Sequence, residues 1–166
     1  MHRSLLHVVV LSLLGLIKRI SHPPDAVLRE VPGHGFHDLG EGTMGQTVPG
    51  LLAYRFYAPL LFSNASYFVE RVRQLVAASP TPVVWFLLDA QAITDIDVTA
   101  MEALHAVHLE LQEQGIKLKI VHANRPFRQI LERTGLANEI EENSFYPSVH
   151  ECVEAFRAQT AVPKVK

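Results

Sequence analysis

The stretch that most constrains the fold of this chain is residues 83–104, VVWFLLDAQAITDIDVTAMEAL. Residues 83–88 are all apolar and end at Asp89, which predicts a strand buried on both faces of a sheet. A short polar segment follows, and a helical pattern begins beyond Asp97. Open α/β sheets place their sites where a parallel strand ends and runs into a helix. The stretch therefore predicts a binding or switching surface more than a complete catalytic apparatus.

Length and charge restrict the class of protein. A chain of 166 residues is long enough for one well-buried core. Its net charge of −2 and pI near 6.5 give no basic surface for nucleic acid, so we expect no nucleic-acid partner. The single cysteine, Cys152, excludes an internal disulfide and a cysteine-built zinc site, and it is compatible with a reducing compartment.

The N-terminal segment is unusually apolar. Residues 5–17 are apolar except for His7 and Ser12, and Lys18 and Arg19 close the run. A helix of that length spans about 20 Å, which is shorter than the roughly 30 Å hydrocarbon core of a bilayer. We interpret residues 1–20 as the end of a last transmembrane helix, with the two basic residues on the cytoplasmic side. The alternative is an apolar helix docked on the domain.

The remaining residues form one predicted domain, residues 21–160, followed by a tail, residues 161–166. The patterns predict strands at residues 26–31, 52–56, 83–88 and 117–122, with a weak strand near 139–140. Helices separate the later strands, and residues 32–50 form a glycine-rich loop. Ser63 or Asn64 caps the first of these helices, and Asn124 caps a later one. Two β-α-β units predict adjacent parallel strands with right-handed connections.

The glycines of that loop do not form a nucleotide fingerprint. Gly33 and Gly35 are followed by Asp38 where the G-x-G-x-x-G pattern needs a third glycine, and no helix opens there. The sequence also has no phosphate-binding Gly-Lys-Ser/Thr loop.

Asp97 and Thr99 stand at the start of a predicted helix, where amide donors and the helix dipole favour negative charge. Thr99 could accept a phosphate or contact a ligand, with Asp97 positioning its hydroxyl. Alternatively, Asp97 or Thr99 simply caps the helix, and Thr99 with Glu102 forms a capping box. The sequence leaves these interpretations open.

Other polar residues are interpreted conservatively. Asp89, Asp95 and Asp97 could form a metal or acid-base cluster, but without a nucleophile or a shaped pocket we interpret them as solvated loop acids and caps. His105 and His108 are spaced to share a metal, yet no third ligand follows, so we predict no metal site. The same reasoning predicts that the protein is not an enzyme.

Two further features concern thiol chemistry and cationic groups. Cys152 falls on the core side of the last helix, which argues against a nucleophile pair with His150. Arg125 and Arg128 open a helix near the predicted carboxyl edge, where they could meet a phosphate, an acidic partner or lipid head groups.

The element order and the segment DAQAITDIDVTAMEAL, residues 89–104, resemble the STAS domain of sulfate transporters and anti-sigma-factor antagonists. Residues 48–72, VPGLLAYRFYAPLLFSNASYFVERV, resemble the second strand and first helix of STAS domains in SulP-type anion transporters. The resemblance implies an α/β fold with a mixed sheet of four or five strands and helices mainly on one face. It also implies a non-catalytic regulatory domain at the cytoplasmic face of the plasma (inner) membrane. That domain would belong to a dimeric transporter of sulfate, bicarbonate or dicarboxylates.

The same resemblance implies partners and site residues. The partners are the membrane domain of the transporter and a cytosolic protein. Thr99 aligns with the phosphorylated serine of anti-sigma antagonists and Asp97 with the preceding aspartate, although Ala100 replaces a common glycine. Weak GTP or ATP binding, without any other cofactor, would fall on the same edge, which comprises Ser63, Asn64, Asp89, Asp95, Asp97, Thr99 and Arg125. The alternative function is a free-standing anti-sigma-factor antagonist switched by phosphorylation at Thr99.

Overall fold

The predicted buried strand lies at the centre of a mixed sheet. In the computed structural model, which describes residues 2–38, 45–140 and 142–161, six strands pair in the order β2-β1-β3-β4-β5-β6. Every residue of β4 is buried, as an apolar run flanked by two parallel neighbours requires. The strands are β1 (Asp25–Val31), β2 (Gly35–Asp38), β3 (Leu51–Phe56), β4 (Trp85–Asp89), β5 (Lys117–Val121) and β6 (Phe145–Tyr146).

The helices connect these strands in the predicted way. Strands β3, β4, β5 and β6 are mutually parallel, while β1 runs antiparallel to both β2 and β3. The two predicted β-α-β units are confirmed as β3-α2-β4 and β4-α3-β5. The helices are α1 (His2–Ser21), α2 (Ala65–Ala77), α3 (Val98–Glu113), α4 (Arg125–Thr134), α5 (Leu136–Glu139) and α6 (Val149–Ala161), with a short 3₁₀ turn at Glu142–Ser144.

Alternation along the strands divides the core into two layers. On β3, Tyr54 and Phe56 face the layer formed with α2, α3 and α4, and Leu51 and Ala53 face the opposite layer. Phe156 of α6 packs on Trp85 in that second layer, with ring centroids 5.3 Å apart. The predicted STAS-type α/β architecture, with helices mainly on one face, is therefore confirmed, although the sheet has six strands and not the expected four or five. Of the described helices, α6 alone covers the other face.

Two predictions about strands need correction. The predicted loop at residues 32–50 contains β2, which pairs with β1 through an antiparallel hairpin. This strand is an exposed edge and lacks apolar alternation, so its pattern resembled a loop. The predicted strand near residues 139–140 is wrong, because α5 occupies Leu136–Glu139 and the last strand is β6. Residues 1, 39–44, 141 and 162–166 lie outside the described part of the chain.

The N-terminal segment is one continuous helix. Residues 7–20 of α1 are exposed, so this part of the helix does not pack against the domain. The alternative of a docked helix is therefore wrong for this part. Of the helices described, none combines the length and the apolar character needed to cross a membrane. At the junction with the domain, the His22 ring packs on Tyr67 at a centroid distance of 4.8 Å.

Candidate functional site

Asp97 joins two chain segments at the carboxyl edge of the sheet. Its Oδ1 atom accepts a hydrogen bond from the Ala100 amide at 2.9 Å, which makes Asp97 the N-cap of α3. Its Oδ2 atom accepts a hydrogen bond from the Phe62 amide at 2.7 Å. A cap of this kind contributes about 1 kcal/mol to stability. The carboxylate therefore fixes the segment before α2 against the start of α3.

The segment before α2 is held in place by further hydrogen bonds. Leu60 pairs with the β4–α3 loop, since its amide donates to the Asp95 carbonyl at 3.0 Å. Asn64 is buried at the N-cap position of α2, but its side chain does not cap that helix. Its Oδ1 instead accepts from the Leu61 amide, and its Nδ2 donates to the Pro59 carbonyl, both at 3.0 Å. Asn64 thus holds the turn before α2, which reaches the start of α3 through the Phe62 amide.

Exposed apolar side chains surround the Asp97 carboxylate. Phe62 is 72% exposed and Val98 is 77% exposed. Thr99 is also exposed and is the second residue of α3, so the predicted capping box of Thr99 with Glu102 is wrong. The sequence signal for this patch is that Phe62 and Val98 are apolar, although a solvated turn usually carries polar residues at such positions. We call it the α3-entry surface; its residues are Phe62, Ser63, Asp95, Asp97, Val98 and Thr99.

Asp89 does not belong to this exposed surface. It is fully buried, and its Oδ2 accepts hydrogen bonds from Arg55 Nε at 2.9 Å and Nη2 at 2.6 Å. Its Oδ1 accepts from the Gln91 amide at 3.1 Å and lies 2.9 Å from His122 Nδ1. The prediction that Asp89 is a solvated loop acid is therefore wrong. As the last residue of β4, it is still enclosed by the neighbouring strands.

The remaining predicted site residues are spread along the edge. Asp95 is exposed, and its carboxylate accepts from the Ile96 amide at 2.9 Å. Arg125 is exposed at the start of α4. The cap of that helix, Asn124, also donates to the Ile93 carbonyl at 3.0 Å, which anchors α4 to the β4–α3 loop. Within the described ranges, no three His, Cys, Asp or Glu side chains are arranged to hold a metal ion.

A groove of about 610 Å³ adjoins the α3-entry surface, and no sequence pattern indicated it. Val98 and Met101 of α3 line one wall, and Ile130 and Leu136 line the other. At its rim, His105 Nε2 lies 2.7 Å from a carboxylate oxygen of Glu139. The groove is mainly apolar and extends the exposed apolar surface along α3.

Two titratable side chains singled out in the sequence are buried. The His108 ring is buried, its Nδ1 has no hydrogen-bond partner among the described residues, and burial lowers its pKa below the ordinary value. Burial raises the pKa of the Cys152 thiol to about 12, so this thiol is a poor nucleophile. His150 instead lies 3.3 Å from Glu154, on the exposed side of α6.

Comparison with known proteins decides the family. A family model described as the STAS domain matches residues 44–152, which is more than half of the chain. This chain belongs to the STAS domain family. The STAS domain is 37% identical over 155 residues to a probable sulfate transporter of Mycobacterium tuberculosis, and the match covers 93% of this chain and 28% of the relative. The predicted resemblance to SulP-type domains is thus confirmed.

Solved structures agree on the fold. The STAS domain superposes on a murine solute carrier 26 family anion transporter in the inward-facing state with a TM-score of 0.78 at 18% identity. That match covers 90% of this chain and 25% of the transporter chain. The SulP transporter STAS domain from Vibrio cholerae gives a TM-score of 0.55 at 21% identity, covering 70% of this chain and 88% of that one.

Proposed function

We propose that this STAS domain is the regulatory, non-catalytic module of a SulP-type anion transporter. The observation that carries the proposal is the 37% identity with a probable sulfate transporter over 93% of this chain. The chain spans about a quarter of that relative, and transport itself needs many spanning helices around a central site. The contribution of this domain is therefore control of the transporter rather than the transport pathway.

The apolar helix α1 supports a location at the cytoplasmic face of the membrane. Its exposed apolar side chains end at Lys18 and Arg19, in keeping with the excess of basic residues on the cytoplasmic side. Beyond the helix, Asp25 Oδ2 accepts hydrogen bonds from Arg71 Nε at 2.7 Å and from the Tyr54 hydroxyl at 2.9 Å. These contacts link the segment that follows α1 to β3 and α2. A movement of α1 would therefore be transmitted to the rest of the domain.

The α3-entry surface is the part of the domain proposed to contact its partners. Exposed Phe62 and Val98 supply apolar contact area, and Asp97 holds both segments in a fixed arrangement. The proposed partners of the domain are the membrane domain of the same dimeric transporter and a cytosolic protein. A phosphate on Thr99 would add about −1.5 to −2 charges there. It would act by favouring one docked arrangement over another.

Nucleotide binding at this surface would be weak. Asp95, Asp97 and Thr99 offer polar groups for GTP or ATP, but the chain has no glycine-rich phosphate cradle. The free-standing anti-sigma antagonist would use the same Thr99. The identity with a sulfate transporter supports the transporter function over that alternative.

The membrane location leads to a flotation prediction. The full chain, reconstituted from mild detergent with vesicles of zwitterionic and anionic phospholipid, is expected to float with the vesicles, because α1 buries its apolar side chains in lipid. A chain lacking residues 2–21 is expected to stay in the dense fractions. The matched control replaces Leu11 and Leu14 by glutamate, which keeps the helix length and should also abolish flotation. Equal flotation of all three proteins would contradict the proposed location.

A further inference from the structure

His122 has an unusual backbone conformation at the carboxyl end of β5. Its φ is +53°, and among the described residues it is the only non-glycine residue with a positive φ. Holding a non-glycine residue in the left-handed region costs about 1–3 kcal/mol. The strain is offset by a contact, since the ring Nδ1 lies 2.9 Å from Asp89 Oδ1. The backbone is therefore held in the conformation that places the imidazole on this buried carboxylate.

The contact with Asp89 determines which ring nitrogen remains available. A carboxylate accepts hydrogen bonds, so Nδ1 carries the proton, and Nε2 has no hydrogen-bond partner among the described residues. The His122 side chain is 31% exposed. Asp89 already has a cationic partner in Arg55 at 2.6 Å, so the imidazole is not needed to balance the buried charge.

The exposed side of His122 faces a cavity with a second cationic group. The cavity has a volume of about 470 Å³ and is lined by His122, Ala123, Arg128, Phe145, Tyr146 and Pro147. The Arg128 guanidinium carbon lies 4.8 Å from the centre of the Phe145 ring, and this stacking leaves the N–H edge of the guanidinium available. Among the described residues, no carboxylate forms an ion pair with Arg128.

We propose that this cavity, the His122 pocket, binds a small oxyanion. Arg128 supplies a fixed positive charge and paired donors suited to a carboxylate, sulfate or phosphate group. His122 in its protonated form donates from Nε2, and Phe145 and Pro147 provide apolar walls. The lining residues of this pocket differ from those of the α3-entry surface and its groove. The inference therefore does not depend on the proposed transporter function.

The test is a titration of the isotopically labelled full chain, followed by NMR, with sulfate, phosphate and benzoate as probes at constant ionic strength set with chloride. We expect saturable shifts at His122 and Ala123 with at least one probe. The variants Arg128→Gln and His122→Asn should raise the Kd of that probe tenfold or more. Asparagine is chosen at position 122 because it tolerates a positive φ. Arg133→Gln, in the last turn of the same helix and outside the pocket lining, should leave the Kd within a factor of two.

Folding of each variant is checked by its urea unfolding midpoint, so that a lost site is distinguished from a lost fold. The three probes separate a tetrahedral oxyanion from a planar carboxylate as the preferred ligand. The proposal is overturned if none of the three anions gives saturable shifts in the folded wild-type chain. It is also overturned if Arg133→Gln weakens binding as much as Arg128→Gln does, since binding would then follow surface charge alone.

Discussion

Replacement of Asp89 by alanine is expected to destabilise the domain by about 3–5 kcal/mol, the range for breaking a buried ion pair from one side. The Asp89 carboxylate is fully buried and accepts hydrogen bonds from Arg55, His122 and the Gln91 amide. Its loss leaves the partly buried Arg55 guanidinium without its counter-charge. It also removes the contact that offsets the positive φ of His122.

Urea unfolding, followed by circular dichroism, measures this loss. The matched control is Asp95→Ala in the exposed loop that follows the same strand, which is expected to change the free energy of unfolding by less than about 0.5 kcal/mol. A loss below about 1 kcal/mol for Asp89→Ala would show that the buried network does not hold the ends of the strands together.

Replacement of Phe68 by alanine is expected to cost about 3–5 kcal/mol of stability through the cavity that it leaves. Phe68 is fully buried on α2, and its ring lies 5.5 Å from that of Phe56 and 6.2 Å from that of Tyr54. Its packing on β3 holds the first turn of α2 against the sheet. Its loss should therefore also loosen the segment that carries Phe62.

Phe62→Ala is the matched control, since it makes the same chemical change six residues earlier. Phe62 is exposed, so we expect Phe62→Ala to change the free energy of unfolding of the domain by less than about 0.5 kcal/mol. The proposed function assigns Phe62 to partner contact, so this variant should lose binding without losing stability. Similar destabilisation by both variants, in the same unfolding assay, would contradict the assignment of Phe62 to an exposed surface.

The sequence predicted the parts of the fold that periodicity and capping control. The apolar run that became β4 and the spacing of Met101, Leu104, Val107 and Leu111 on α3 needed no tertiary information, because each pattern belongs to one element. The edge strand β2 was missed because it is exposed and lacks apolar alternation, and the two-residue β6 was missed because its partner β5 is distant in the chain. A local pattern does not encode such pairing.

The candidate site was predicted in position but not in detail. Asp97 and Thr99 do lie where a parallel strand leads into a helix, as the order of elements required. The burial of Asp89 depends on Arg55 and His122, which are 34 and 33 residues away in the chain. The exposure of Phe62 and Val98 likewise follows from the way the two loops meet. Only the folded chain brings these groups together.

Sulfate uptake by a chimeric transporter tests the regulatory proposal most directly. The membrane part of the Mycobacterium tuberculosis relative would carry this domain in place of its own, together with Val98→Asp, Thr99→Glu or the control Glu113→Gln. A carboxylate is tolerated in the first turn of a helix, so the first two variants should fold normally. We predict that both change uptake by about fivefold or more at equal membrane abundance, while Glu113→Gln does not. Uptake unchanged by Val98→Asp and by Thr99→Glu would contradict a regulatory role of the α3-entry surface.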